Sequence, residues 1–132
     1  MTIAVDFDGT IVEHRYPRIG PEKPFAIQAL LQLQREGHRL ILFTAREGAL
    51  LQEAVDFCHE RGLDFYAVNS SEPVNALFPQ QTAKVIADIY IDDRNLGGLP
   101  GWDEIYRMIG EKSLEAAEPQ RRRSFHSWFR RH

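Results

Sequence analysis

The chain predicts an α/β protein in three layers, with a mostly parallel sheet covered on both faces by helices. Two observations predict it. Short apolar runs suited to buried strands alternate with amphipathic helical stretches, and right-handed crossovers turn that order into a parallel sheet. Polar residues collect where the apolar runs end: Asp6 and Asp8, Thr44, Asn69, then Asp92 and Asp93. In a parallel sheet those ends share one edge, so four separate segments deliver polar groups to one crevice, where open α/β sheets hold their ligands.

The opening stretch, TIAVDFDGT at 2–10, reads as the central strand. Ile3, Ala4, Val5 and Phe7 suit burial on both faces, and Gly9 stops the run. Residues two apart project to the same face of a strand, roughly 7 Å apart. Asp6 and Asp8 therefore arrive together at a strand end. Two such anions repel unless compensated, and a hard divalent cation bound through oxygen is the usual compensator. An exposed turn with two solvated acids is the alternative from this stretch alone.

Residues 11–24 hold three prolines and two arginines and read as an extended excursion, a small hairpin close to the acidic pair. A helix follows from Pro24, with Ile27, Leu30, Leu31 and Leu33 as its stripe and Gly37 as its stop. Residues 39–43 (RLILF) form a second buried strand, with Thr44 directly after it. The next helix runs from about Glu47 to Arg61, striped by Leu50, Leu51, Ala54, Val55 and Cys58, and Gly62 ends it. A third strand is expected at 64–68 and a fourth at 87–91, with loop or a weak helical turn at 72–83 between them. Gly97, Gly98, Pro100 and Gly101 make a loop. Trp102, Ile105, Tyr106 and Ile109 then mark a last short helix. The expected fold is a Rossmann-like three-layer α/β/α sandwich with strand order 3-2-1-4, counting the strands in chain order.

At 132 residues, 43% hydrophobic and 27% charged, the chain has the length and composition of one globular domain. No segment has the apolar length of a membrane span, and the first residues lack the plan of a signal peptide. The single cysteine, Cys58, excludes an intramolecular disulfide framework and fits a reducing cytoplasm; its place on an apolar helix face makes it a core residue. The net charge of −3 hides an asymmetry. Residues 1–110 carry 16 acids and 10 bases, whereas residues 111–132 carry 3 acids and 6 bases. The expected organisation is a catalytic domain over 1–110 and a basic tail over 111–132. From Pro119 onward the tail interleaves five arginines with Phe125, Trp128 and Phe129. A loosely ordered terminus and contact with nucleic acid, an acidic membrane surface or an acidic partner both stay open.

Asp-x-Asp-Gly-Thr after the first strand (DFDGT), a Thr after the second, a Lys before the fourth and Asp-Asp after it (IDDR, 91–94) resemble the haloacid dehalogenase-like phosphohydrolase superfamily. The match spans about residues 1–110 in the family's order, and the chain looks like small capless members carrying ADIYIDDRN. The resemblance implies that Asp6 is the nucleophile, forming an aspartyl-phosphate, and that Asp8 protonates the leaving oxygen and then activates water. It implies Mg2+ held by the Asp6 carboxylate, the Asp8 backbone carbonyl and Asp92, with Asp93 orienting the waters; the choice between Asp92 and Asp93 as direct ligand stays open, because adjacent residues point the same way only at a bend. Thr44 would donate to a phosphoryl oxygen at the amino end of the second helix, although Thr44-x-x-Glu47 also has the spacing of a capping box. Lys84 would neutralise the phosphoryl group. An unbroken strand over 84–91 would leave Lys84 about 23 Å from the active edge, so that role needs a strand that begins later, with Lys23 and Arg46 as substitutes.

Arg46, Asn69, Arg94 and Asn95 lie near the same edge as candidate substrate readers, with local ion pairing as the competing use. His14, Arg15 and Arg18 lie in the excursion that relatives use as a flap. A receiver-type signalling domain shares the acidic, magnesium-binding pocket, but its phosphorylated Asp closes the third strand, where this chain has Val68-Asn69-Ser70. Many relatives insert a cap domain after the first or third strand. Neither excursion here is long enough for one. The expected activity is hydrolysis of a phosphomonoester, small or on a larger molecule, with a neighbouring subunit of a homo-oligomer as one source of a lid. Phosphotransfer to another acceptor and a non-catalytic phosphate-binding module are the alternatives.

Overall fold

The computed structural model of the chain describes residues 1–73 and 85–117. Its centre is β1 (Thr2–Val5). On one side β1 pairs in parallel with β4 (Arg39–Leu42), which pairs in parallel with β5 (Ala67–Val68); on the other side β1 pairs in parallel with β6 (Ile89–Ile91). The sheet order is β5-β4-β1-β6. The register aligns Val5 with Leu42 and Ile91, and Leu42 with Val68. Consequently the next residues, Asp6, Phe43, Asn69 and Asp92, stand in one row. The ladder continues into that row through Asp6 N–H to Ile91 O (3.0 Å), Phe43 N–H to Val5 O (2.8 Å) and Asn69 N–H to Leu42 O (2.7 Å).

Among the described residues, three helices, α1 (Ala26–Arg35), α2 (Gly48–Glu60) and α3 (Trp102–Ala117), complete the mixed α/β architecture. The first two end in the same way. Gly37 at φ 96° and Gly62 at φ 83° take the left-handed conformation that a side chain resists. His38 N–H then reaches back to Leu33 O, and Leu63 N–H to Cys58 O, so the last carbonyls are satisfied within a Schellman motif. Ile3, Val5, Leu40 and Leu42 share one face of the sheet. The core they build takes in Leu30 and Leu33 of α1, Ala54 and Cys58 of α2, and Ile105 and Ile109 of α3. Each large aliphatic side chain buried there contributes roughly 1.5–3 kcal/mol.

The excursion after β1 is a hairpin, β2 (Val12–Arg15) with β3 (Arg18–Glu22), antiparallel and separate from the main sheet. Several expected boundaries move. The third strand shrinks from 64–68 to two residues, because only Ala67 and Val68 come into register with Ile41 and Leu42. The fourth begins at Ile89 rather than 87. The last helix is longer than its apolar stripe, running through residue 110 to Ala117, so the first seven residues expected as tail are helical. Lys84, most of the expected 72–83 loop and the arginine-aromatic stretch at 119–132 lie outside the described residues. Among the described residues, no helix is long and apolar enough to cross a membrane.

Candidate functional site

The carboxyl edge of the sheet opens into a cleft of about 470 Å³ lined by Asp6, Asp8, His14, Tyr16, Thr44, Ala45, Arg46, Asp93 and Arg94. Every wall traces to a strand end or to the hairpin. Asp6 follows β1 and is 8% exposed. Asp92 and Asp93 follow β6, where the chain turns at once, and the turn brings both carboxylates round to Asp6. Ligand oxygens of Asp6, Asp92 and Asp93 all lie within 4.8 Å of one another. The bend that adjacent acids require is therefore present. Two bonds hold it: Asp93 N–H donates to Thr10 Oγ1 (3.2 Å) and Arg94 N–H donates to Asp92 Oδ1 (3.0 Å).

Three carboxylates so close make a strongly negative spot. Asp6 registers it: burial first, then repulsion from Asp92 and Asp93, pushes its carboxyl up from 3.8 to about 6, against the pull of the Phe7 backbone N–H. An all-oxygen donor set of this charge suits a hard divalent ion such as Mg2+, which would relieve the repulsion that burial sharpens. The Asp8 carboxylate stands outside this triad and has a different partner. Arg46 grips it with two parallel bonds, Nε to Oδ2 at 2.7 Å and Nη2 to Oδ1 at 2.8 Å.

That grip changes the reading of Arg46. As a residue in a loop after a strand it is expected to reach for substrate, but its side chain is 1% exposed and holds Asp8. Thr44 lies in the cleft wall. Its N–H donates to Asn69 Oδ1 (2.8 Å), and its Oγ1 accepts from Arg46 N–H (3.1 Å), leaving the hydroxyl hydrogen to point elsewhere. The capping-box alternative for Thr44 is not what forms. The cap of α2 is Glu47, three residues later, and it makes no side-chain cap bond. Asn69, at φ 52°, is thus tied to Thr44. Arg94 is exposed at the cleft rim. Lys84 is outside the described residues.

Sequence reasoning passed over Thr10 and Tyr16. Thr10 is fully buried; its Oγ1 supports the Asp93 turn and its carbonyl accepts from Trp102 Nε1 (2.9 Å). The signal was present in DFDGT, where a polar Thr sits directly before the apolar Ile11 and Val12. Gly9, quoted only as a strand stop, has φ 83°, and a Cβ there would overlap the Asp93 carboxylate. The turn passes the acidic cluster at a distance only glycine allows.

No protein-family model and no curated protein matches the chain. A solved structure of a conserved protein from Bacteroides thetaiotaomicron does: it shares 60% sequence identity and superposes with a TM-score of 0.79, over 85% of this chain and 91% of that one. At that identity and coverage, the chain belongs to the family of this conserved Bacteroides thetaiotaomicron protein.

Proposed function

We propose that the chain is a magnesium-dependent phosphohydrolase of the haloacid dehalogenase-like superfamily, a capless Rossmann-like three-layer sandwich that cleaves a phosphomonoester through an aspartyl-phosphate. The observation that carries this reading is the convergence of Asp6, Asp92 and Asp93 at one sheet edge, with Asp8 held beside them in the same cleft. Asp6, Asp92 and Asp93 would hold Mg2+, with the Asp8 carbonyl as a further oxygen. Bound there, the ion would neutralise charge on the phosphoryl group and keep the Asp6 carboxylate ionised.

The chain's own residues supply the rest. Asp6 Oδ attacks phosphorus, the bond to the leaving oxygen breaks, and that oxygen takes a proton from Asp8. Asp8 then accepts a proton from the water that hydrolyses the acyl phosphate, freeing inorganic phosphate and restoring Asp6. The Arg46 pair uses one lone pair on each Asp8 oxygen, and a carboxylate has about four such sites, so a proton can still be carried on the cleft side. Thr44 Oγ1, with its own hydrogen unspent, donates to a phosphoryl oxygen. Asn69 keeps the Thr44 backbone in place, Arg94 meets the outer part of the substrate, and Lys84 adds positive charge.

The test is turnover of 4-nitrophenyl phosphate and a broad panel of phosphomonoesters with Mg2+. Expected is release of phosphate that Asp6→Asn abolishes and excess chelator removes, with an acid-trapped phosphoenzyme on the wild type alone. Turnover that survives Asp6→Asn would sink the mechanism. Phosphate binding with no turnover would favour a binding module, and phosphate passed to an alcohol in place of water would favour a phosphotransferase.

A further inference from the structure

Arg46 joins three elements through one buried side chain. Besides the two bonds to Asp8, Nη2 donates to the Arg18 carbonyl of the hairpin (3.0 Å) and Nη1 to the Leu50 carbonyl in the first turn of α2 (3.3 Å). Its guanidinium carbon lies 5.2 Å from the ring centres of both Phe7 and Tyr16. Four of the five guanidinium N–H groups are taken by these acceptors and the side chain is 1% exposed, so the group is committed to the protein and not turned out toward an incoming phosphate.

We propose that Arg46 is a positioning residue for Asp8. Its planar fork fixes the direction of that carboxylate in the cleft, and the same nitrogen that holds Asp8 Oδ1 holds the hairpin through Arg18 O. The carboxylate and the hairpin above it therefore keep one mutual placement. This rests on the phosphohydrolase reading, in which Asp8 moves the proton. A lysine cannot substitute, because a single ammonium cannot hold two carboxylate oxygens in a plane and two backbone carbonyls as well. The role belongs to the chemical step and not to binding: a misdirected Asp8 slows proton transfer while the phosphoryl contacts of Thr44 and the acidic triad are untouched.

The experiment uses the full chain with Mg2+ and 4-nitrophenyl phosphate, comparing wild type, Arg46→Lys, Asp8→Asn and the double variant, with inorganic phosphate as the competing ligand. Expected for Arg46→Lys is a kcat lower by about a hundredfold, the lower range for loss of a positioned acid-base group. KM and the inhibition constant of phosphate should stay within about threefold, since only the transition-state interaction is lost. In the Asp8→Asn background the same change should alter kcat by less than about twofold, because two residues acting as one unit are not additive.

A second variant, Arg46→Gly, should regain activity with added guanidinium ion, which a general loss of fold would not allow. The assignment is overturned if Arg46→Lys is as active as wild type, if it weakens phosphate inhibition tenfold or more, or if the two losses multiply. A wild type that hydrolyses no phosphoester overturns the phosphohydrolase reading along with it. An active wild type with an equally active Arg46→Lys overturns only the role of Arg46.

Discussion

Asp6 is the residue whose surroundings are most at odds with its own chemistry. It is 8% exposed, faces two other carboxylates, and titrates near 6 instead of 3.8. Folded, it binds its proton more tightly than it does unfolded. Between about pH 4 and pH 6 the native state therefore carries the extra proton, and stability falls as pH rises through that window by roughly 3 kcal/mol. Asp6→Asn has no such titration. In chelator, the stability of the wild type relative to Asp6→Asn should drop by that amount between about pH 4 and pH 7, and saturating Mg2+ should restore it above pH 6; urea unfolding at each pH reads both. A gap that does not change with pH would mean that the three carboxylates are better solvated than their packing implies. The four acids were legible in the sequence because Asp6 and Asp8 come at the end of one apolar run and Asp92 and Asp93 directly after another, and such ends are set by local pattern. The partner of Arg46 was not. Asp8 lies 38 positions away, and a lone arginine after a strand reads the same whether it faces water or a carboxylate.

At the scale of elements, α3 does more than cover the sheet. Its first residue, Trp102, is buried and donates Nε1–H to the carbonyl of Thr10, the residue whose hydroxyl supports the Asp93 turn. Trp102→Phe keeps most of the buried ring and removes the donor, leaving a buried carbonyl without its partner. Stability should fall by roughly 1–3 kcal/mol in urea unfolding, beyond the small change expected from ring volume. An unchanged midpoint would show that the Thr10 carbonyl finds another donor. Helices α1 and α2 were readable to within a residue or two because stripe, length and terminal glycine agreed. β5 was not, because DFYAV has strand composition throughout and only register decides how much of it pairs. The helical state of 111–117 was hidden for a related reason: EKSLEAA has no apolar stripe, and it continues a helix that Ile105 and Ile109 have already anchored.

For the molecule as a whole, Cys58 offers a reporter of global opening. Its thiol is fully covered in the core, and burial pushes it up to about 12, so the native state presents neither access nor thiolate. Labelling by an aromatic disulfide reagent should therefore wait for unfolding and show one slow phase. A ligand that binds only the native state at a hundredfold over its dissociation constant adds about 2.7 kcal/mol, so Mg2+ with phosphate at such levels should slow labelling about a hundredfold where opening is in rapid equilibrium. Fast labelling insensitive to both would place Cys58 in a locally opening segment. The hairpin carries a different consequence. Lys23 N–H donates to Ile11 O at 2.8 Å, so the excursion leaves and re-enters the domain at a single point, while its turn, Tyr16-Pro17, lies over the cleft with Tyr16 half exposed. A loop already closed at its base tolerates lengthening, since each doubling of its length costs only about 0.6 kcal/mol in closure entropy. The tip is thus a port through which new sequence, even a small folded unit, could be added above the cleft without disturbing the register that aligns Asp6 with Asp92. What can reach the cleft from above is then open to change by insertion at one point, while the strand-end residues beneath stay as they are.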